Sequence, residues 1–134
     1  MSLTSLTEQF AVTGPSPRPV TFPSWKDAVR RSVFRFEFDC DRPDRFTGTV
    51  RERYLHGVSF IDMTSGPHAA YRDHRTISED DTGFYVLTLQ LEGRIRIEQD
   101  ERIAALEPGL FALYDSSRPA VLTVGEDYRS TCIR

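Results

Sequence analysis

Three histidines, two cysteines and an arginine-rich set of basic residues are the raw material for any chemistry in this chain. No two of His56, His68 and His74 lie one residue apart. His68 and His74 are six apart, an even spacing that would put them on one strand face. A strand rises about 3.3 Å per residue, so they would stand about 20 Å apart, too far to share a metal. All three read as loop or surface histidines, and no metal or other cofactor is expected. Ser, His and Asp are all present, yet no Gly-x-Ser-x-Gly elbow presents a nucleophile. Asp39 and Asp41 flank Cys40 and oppose a thiolate, while Cys132 beside Ile133 reads as a buried thiol. Glu79-Asp80-Asp81 lacks EF-hand spacing and reads as a solvated acidic loop. No glycine-rich phosphate cradle is visible, and no catalytic residue is nominated.

Binding is a different matter. A small barrel can hold one molecule when its inward side chains leave space. Trp25, Phe46, Tyr54, Phe60 and Tyr85 could wall such a site. Plain core packing is the competing role for each of them. Arg51, Arg53 and Arg75 fall in expected strands, and Arg51 and Arg75 are carried as ligand-binding candidates. An inward arginine would call for an anionic ligand, because an unpaired buried charge is costly; an outward one is simply solvated.

Positioning these residues falls to a set of short strands. Residues 1–24 are rich in Ser, Thr and Pro, with Pro15, Pro17, Pro19 and Pro23 opposing a regular helix, and read as an extended arm or a disordered tail. Ser24 with Asp27 three residues on resembles a capping box, and Trp25, Ala28 and Val29 share a face, which predicts one short helix over 25–32. From Phe34 onward the period is two. Phe34, Phe36 and Phe38 alternate with charged residues; Phe46, Gly48, Val50 and Tyr54 share one face; a strand is expected over 68–76. Tyr85, Leu87, Leu89 and Leu91 form a leucine face, Glu92-Gly93 turns the chain, and 94–98 returns as a hairpin with one wet face. Glu107-Pro108-Gly109 matches a type II turn. Residues 110–114 are apolar on both faces and are expected deep in the sheet; 121–124 and 128–133 read as the last strands. Many short strands with regular turns predict a mainly β sandwich or barrel.

The second half carries an ordered series of motifs. Leu89-Gln90-Leu91-Glu92-Gly93 is followed by Gln99, then Leu106-Glu107-Pro108-Gly109, then Asp115-Ser116-Ser117-Arg118-Pro119. Trp25, Phe46-Thr47-Gly48 and His74-Arg75-Thr76 fit the same series, which spans residues 25–133. It resembles the effector-binding domain of AraC-type transcription regulators. The resemblance implies a cupin-like β-barrel or jelly roll with one short N-terminal helix over 25–134. It implies an unidentified small-molecule effector and a homodimer. DNA contact would come only from a C-terminal pair of helix-turn-helix units that this sequence does not contain. In some relatives the N-terminal arm folds over the ligand. Pro108-Gly109 also resembles the cupin Pro-Gly-Asp turn, with Leu110 where the Asp would be. Metal cupins resemble one another in two His one residue apart, a Glu and a distant His, a pattern lacking here. A metal-dependent cupin-like enzyme and a ligand-free dimerisation domain are the rival readings.

Composition fits a single globular domain. The chain has 134 residues, 39% hydrophobic and 28% charged, enough for a core without disulfides or metal. Of 17 basic residues only Lys26 is a lysine, and the net charge is -3, so no basic excess suggests a free-standing nucleic-acid binder. Two distant cysteines make no disulfide framework and fit a reducing compartment. With no signal peptide and no apolar run long enough to span a bilayer, the cytoplasm is the expected location and no membrane partner is expected.

Overall fold

The computed structural model describes residues 17–80 and 83–134. Ten strands build two five-stranded antiparallel sheets. They are β1 (Glu37–Asp39), β2 (Thr49–Leu55), β3 (Val58–Ser65), β4 (His68–Arg72), β5 (Tyr85–Glu92), β6 (Ile95–Gln99), β7 (Arg102–Leu106), β8 (Phe111–Asp115), β9 (Ala120–Val124) and β10 (Tyr128–Ile133). One sheet runs β1-β4-β9-β6-β7 and the other β2-β3-β10-β5-β8. The chain therefore passes repeatedly between sheets, the mainly β jelly-roll arrangement expected from the sequence. Tight turns close the hairpins where the backbone goes left-handed: φ is 50° at His56 and 84° at Gly57 between β2 and β3, and 52° at Asp100 and 64° at Glu101 between β6 and β7. At 107–110, Leu110 N–H donates to Glu107 C=O and Gly109 has φ 92°, as the type II turn requires.

The N-terminal helix α1 runs over Phe22–Ser32, three residues earlier than the capping-box reading placed it. Its N-cap is Thr21, and Pro23 sits in the first turn, where a missing N–H costs nothing. Of the expected arm, residues 1–16 lie outside the described residues; Val20 pairs with Gly48 through two backbone hydrogen bonds. Phe22, Trp25 and Val29 form the buried face of α1. Trp25 Nε1–H donates to Thr64 C=O at 3.0 Å, and the indole lies against Gly48. A Cβ at Gly48 would meet Trp25 Cδ1 at 2.6 Å and Thr64 O at 2.7 Å. Trp25 and the Gly of Phe46-Thr47-Gly48 are thus two halves of one contact.

The other motif residues tie the sheets together. Gln90 Nε2–H donates to the carbonyls of Glu92 (2.9 Å) and Gly93 (3.2 Å). Gln99 donates to Asp115 C=O at 2.7 Å and accepts from Asp115 N–H at 3.0 Å, joining β6 to β8. Asp115 Oδ1 accepts from Ser117 N–H and its hydroxyl, and Arg118 pairs with Asp100 at 2.7 Å.

Four expectations are corrected. Glu92-Gly93 does not close a hairpin, because β5 and β6 belong to opposite sheets; Gly93 has φ 71° and a Cβ there would lie 2.2 Å from Asp127 O. On β5 the buried side chains are Val86, Thr88 and Gln90, while Tyr85 is 69% exposed and Leu87, Leu89 and Leu91 face outward. Residues 110–114 are not buried on both faces: β8 is an edge strand, with Leu110, Phe111 and Leu113 exposed and only Tyr114 buried. The expected strand over 68–76 stops at Arg72, because Asp73 caps a second, one-turn helix α2 (His74–Ser78), its carboxylate accepting from Thr76 N–H at 2.8 Å and Thr76 Oγ1–H at 2.7 Å.

Candidate functional site

The inward faces of the two sheets enclose a more polar interior than a packing core needs. Ser65, Thr88, Gln90, Ser130 and Cys132 are buried from the β2-β3-β10-β5-β8 sheet, and His68 and Arg72 from the other. Tyr114 and Tyr128 are fully buried, and burial raises both phenols above their ordinary range. Burial also pushes the Cys132 thiol up to about 11, so it stays protonated near neutral pH. Gln90 Oε1 and Ser130 Oγ are buried without a hydrogen bond. The space left among α1, Met63, His68, Tyr114 and Tyr128 is about 30 Å³. That is roughly one water molecule, not an effector.

Larger space opens at one end. The loop after β1 (residues 40–46), the start of β4 and the end of β9 border a cleft of about 600 Å³, within the range of small-molecule sites. Pro67, Ala69, Phe46 and Val124 give it apolar walls; Asp39, Asp41, Arg42 and Arg45 stand around it. Cys40 Sγ, 3.5 Å from Pro67 C=O, links the loop to β4.

His68 joins the two spaces, since it lines both the cleft and the interior. Its ring packs against Trp25 at 4.9 Å and against Phe46 and Tyr128 at 6.0 Å. Nδ1 lies 3.0 Å from Gly66 C=O and 3.2 Å from Ser65 Oγ. A carbonyl can only accept, so Nδ1 carries the proton and Nε2 is left as an acceptor. Nε2 has no hydrogen-bond partner among the described residues. Burial lowers the pKa of the ring, against a weaker upward pull from Gly66 C=O, and keeps it neutral near neutral pH.

The sequence-derived candidates scatter. Phe46 lines the cleft and Trp25 lines the interior. Phe60 and Arg51 face outward on β3 and β2; Arg51 stands opposite Asp62, and Arg53 pairs with Asp62 at 2.6 Å. Tyr54 is 70% exposed near the end of the edge strand β2, and Tyr85 is exposed on the outer face. Arg75 lies on α2 with its side chain in solvent, reaching Glu79 at 3.8 Å. The buried arginine is instead Arg72, three residues earlier. It stacks on the Phe34 ring at 4.6 Å, donates to Ser116 C=O at 2.8 Å and pairs with Asp80 at 2.7 Å. Its charge is fully used inside the fold, so it calls for no ligand.

His68 is likewise corrected, from a surface histidine to a buried one. The signal was its place two residues after Gly66, at the start of a strand whose inward phase also holds Ala70 and Arg72. Among the described residues no group of three or more His, Cys, Asp or Glu side chains could hold a metal ion, and no helix is long and apolar enough to cross a membrane.

Residues 25–134 match the family described as AraC-binding-like domain. An uncharacterised protein from the nit 5′ region of Bacillus sp. (strain OxB-1) is 32% identical over 101 residues, covering 75% of this chain and 39% of its own length. The crystal structure of the AraC-like transcriptional activator CuxR superposes with TM-score 0.73 at 16% identity, covering 88% of this chain and 46% of CuxR. A cupin-2 domain protein from Shewanella frigidimarina superposes with TM-score 0.50 at 14% identity, covering 64% of this chain and 78% of its own. These structures share the cupin-like fold. This chain spans less than half the length of the Bacillus relative and of CuxR.

Proposed function

The chain belongs to the AraC-binding-like domain family, and from that premise we propose that it is the small-molecule-sensing domain of an AraC-type transcription regulator. It binds an effector without transforming it and reports occupancy to a separate DNA-binding domain, so it contacts DNA only through that domain and works in the cytoplasm. The greater length of the Bacillus relative and of CuxR supports a regulator of this modular kind.

His68 is the observation that carries the reading. A neutral imidazole, only 8% exposed and with an acceptor that has no partner among the described residues, stands at the junction of cleft and interior and is well placed to accept from a ligand. A ligand in the cleft would touch the 40–46 loop, β4 and β9 at once. Differential affinity for two arrangements of these elements is all that effector control requires.

A thermal-shift screen against carboxylic acids, amines, sugars and aromatic metabolites tests this. A ligand at about 100 times its Kd stabilises by about 2.7 kcal/mol, a shift of several degrees in a domain this size. One compound class should raise Tm, and Gly125→Trp should abolish the effect. Gly125 borders the cleft and a Cβ there meets nothing within 4 Å, so a side chain can be added without disturbing the fold, and an indole at the rim is large enough to crowd the cleft. A shift that survives Gly125→Trp at full size would place the ligand elsewhere.

A further inference from the structure

The charges around the cleft narrow the kind of molecule it takes; the inference rests on the cleft being the effector site. Asp39, Asp41, Arg42 and Arg45 all border it. None makes an ion pair or a side-chain hydrogen bond among the described residues. Their charges are therefore free to meet a ligand, unlike those of Arg53, which pairs with Asp62, and Arg118, which pairs with Asp100.

A rim with two charges of each sign has no net preference for a purely anionic or purely cationic ligand. Each would meet as much repulsion as attraction. A molecule carrying both charges can set its carboxylate on the arginines, whose planar forks suit it, and its ammonium group on the aspartates. Between the charges the walls are apolar, from Phe46, Pro67 and Val124. His68, only 8% exposed, also lines the cleft, and with its Nδ1 proton committed to Gly66 C=O its Nε2 is an acceptor and not a donor. An N–H of an ammonium group satisfies it; a carboxylate oxygen cannot. We propose that the cleft binds a small zwitterion of the amino-acid type, with an apolar body lying on Phe46 and Val124.

Two matched trios test the assignment by calorimetric titration of the 134-residue chain near neutral pH and low salt. One is leucine, 4-methylpentanoate and 3-methylbutylamine; the other is phenylalanine, 3-phenylpropionate and 2-phenylethylamine. In at least one trio the amino acid should bind about tenfold or more tighter than either partner, because each charge-assisted contact contributes on that scale. Arg42→Ala with Arg45→Ala should reduce the amino acid to the affinity of the amine. Asp39→Asn with Asp41→Asn should reduce it to that of the acid. All four positions are exposed, and an unchanged Tm for the free variants confirms that the fold is intact. Equal or tighter binding of an acid or amine overturns the zwitterion, as does the absence of binding by all six compounds. If a single-charge compound binds and Gly125→Trp blocks it, the cleft stands and only the ligand class falls. If binding by any of the six ignores Gly125→Trp, the cleft itself falls.

Discussion

With Nδ1 of His68 committed to Gly66 C=O, protonating the ring must place a charge on a largely desolvated side chain packed against Trp25, Phe46 and Tyr128. The folded-state pKa therefore lies below 6.5, and between the two values the unfolded chain holds the extra proton. Stability from this group falls as pH drops through 6.5 and levels off below the folded value. His68→Gln keeps a donor for Gly66 and removes the titration. Its Tm should change less than that of the parent between about pH 7 and pH 5; equal slopes would contradict the buried neutral ring. Asp73 and Asp115 are held below the ordinary carboxylate value by hydrogen bonds from Thr76 and Ser117. Their contribution is lost only as pH falls below about 3.8, a separate window. At Gly48 the contact is steric. Gly48→Ala should cost about 1–3 kcal/mol in urea unfolding with m unchanged, since Trp25 and the Thr64 backbone cannot both retreat. A neutral result would mean that Trp25 has room to swing.

At the scale of elements, spacing alone told where most strands lie but not which way they face. The turn at Pro108-Gly109 was legible because a proline-set φ followed by a left-handed glycine has few sequence solutions. The phase of β5 was not. Its leucines mark the more apolar face, yet Gln90 is held inside by the carbonyls of Glu92 and Gly93, and that pulls Val86 and Thr88 inward with it. The outer face then pairs Leu87 with Leu113 and Leu89 with Phe111. Two substitutions separate the phases. Phe111→Thr should cost less than about 1 kcal/mol, whereas Ile61→Thr, from a wholly buried position, should cost about 2–4 kcal/mol. The reverse order in denaturant melts would mean that the faces are exchanged. The site shows the same limit. Phe46 was recognisable from strand alternation and Trp25 from its helix face and the motif series; the first lines the cleft and the second the interior. His68 was passed over because burial depends on α1 packing across the barrel end, a contact 43 residues distant in sequence (68 − 25). Arg72 was passed over because its partners Asp80, Ser116 and Phe34 come from three separate segments.

Across the whole molecule, two sheets linked by repeated crossings leave a nearly filled interior of about 30 Å³ beside an end cleft of about 600 Å³, with His68 between them. Occupancy of the cleft would bear on the 40–46 loop, β4 and β9 together, and so on both edges of the space under α1. The most direct test is a two-dimensional amide NMR titration of the chain with the compound that raises Tm most. Shifts should concentrate at residues 39–46, 66–69 and 123–125, with the side-chain signal of His68 moving alongside them. Perturbations confined to Leu87, Leu89, Phe111 and Leu113 on the outer face, with the cleft silent, would contradict it.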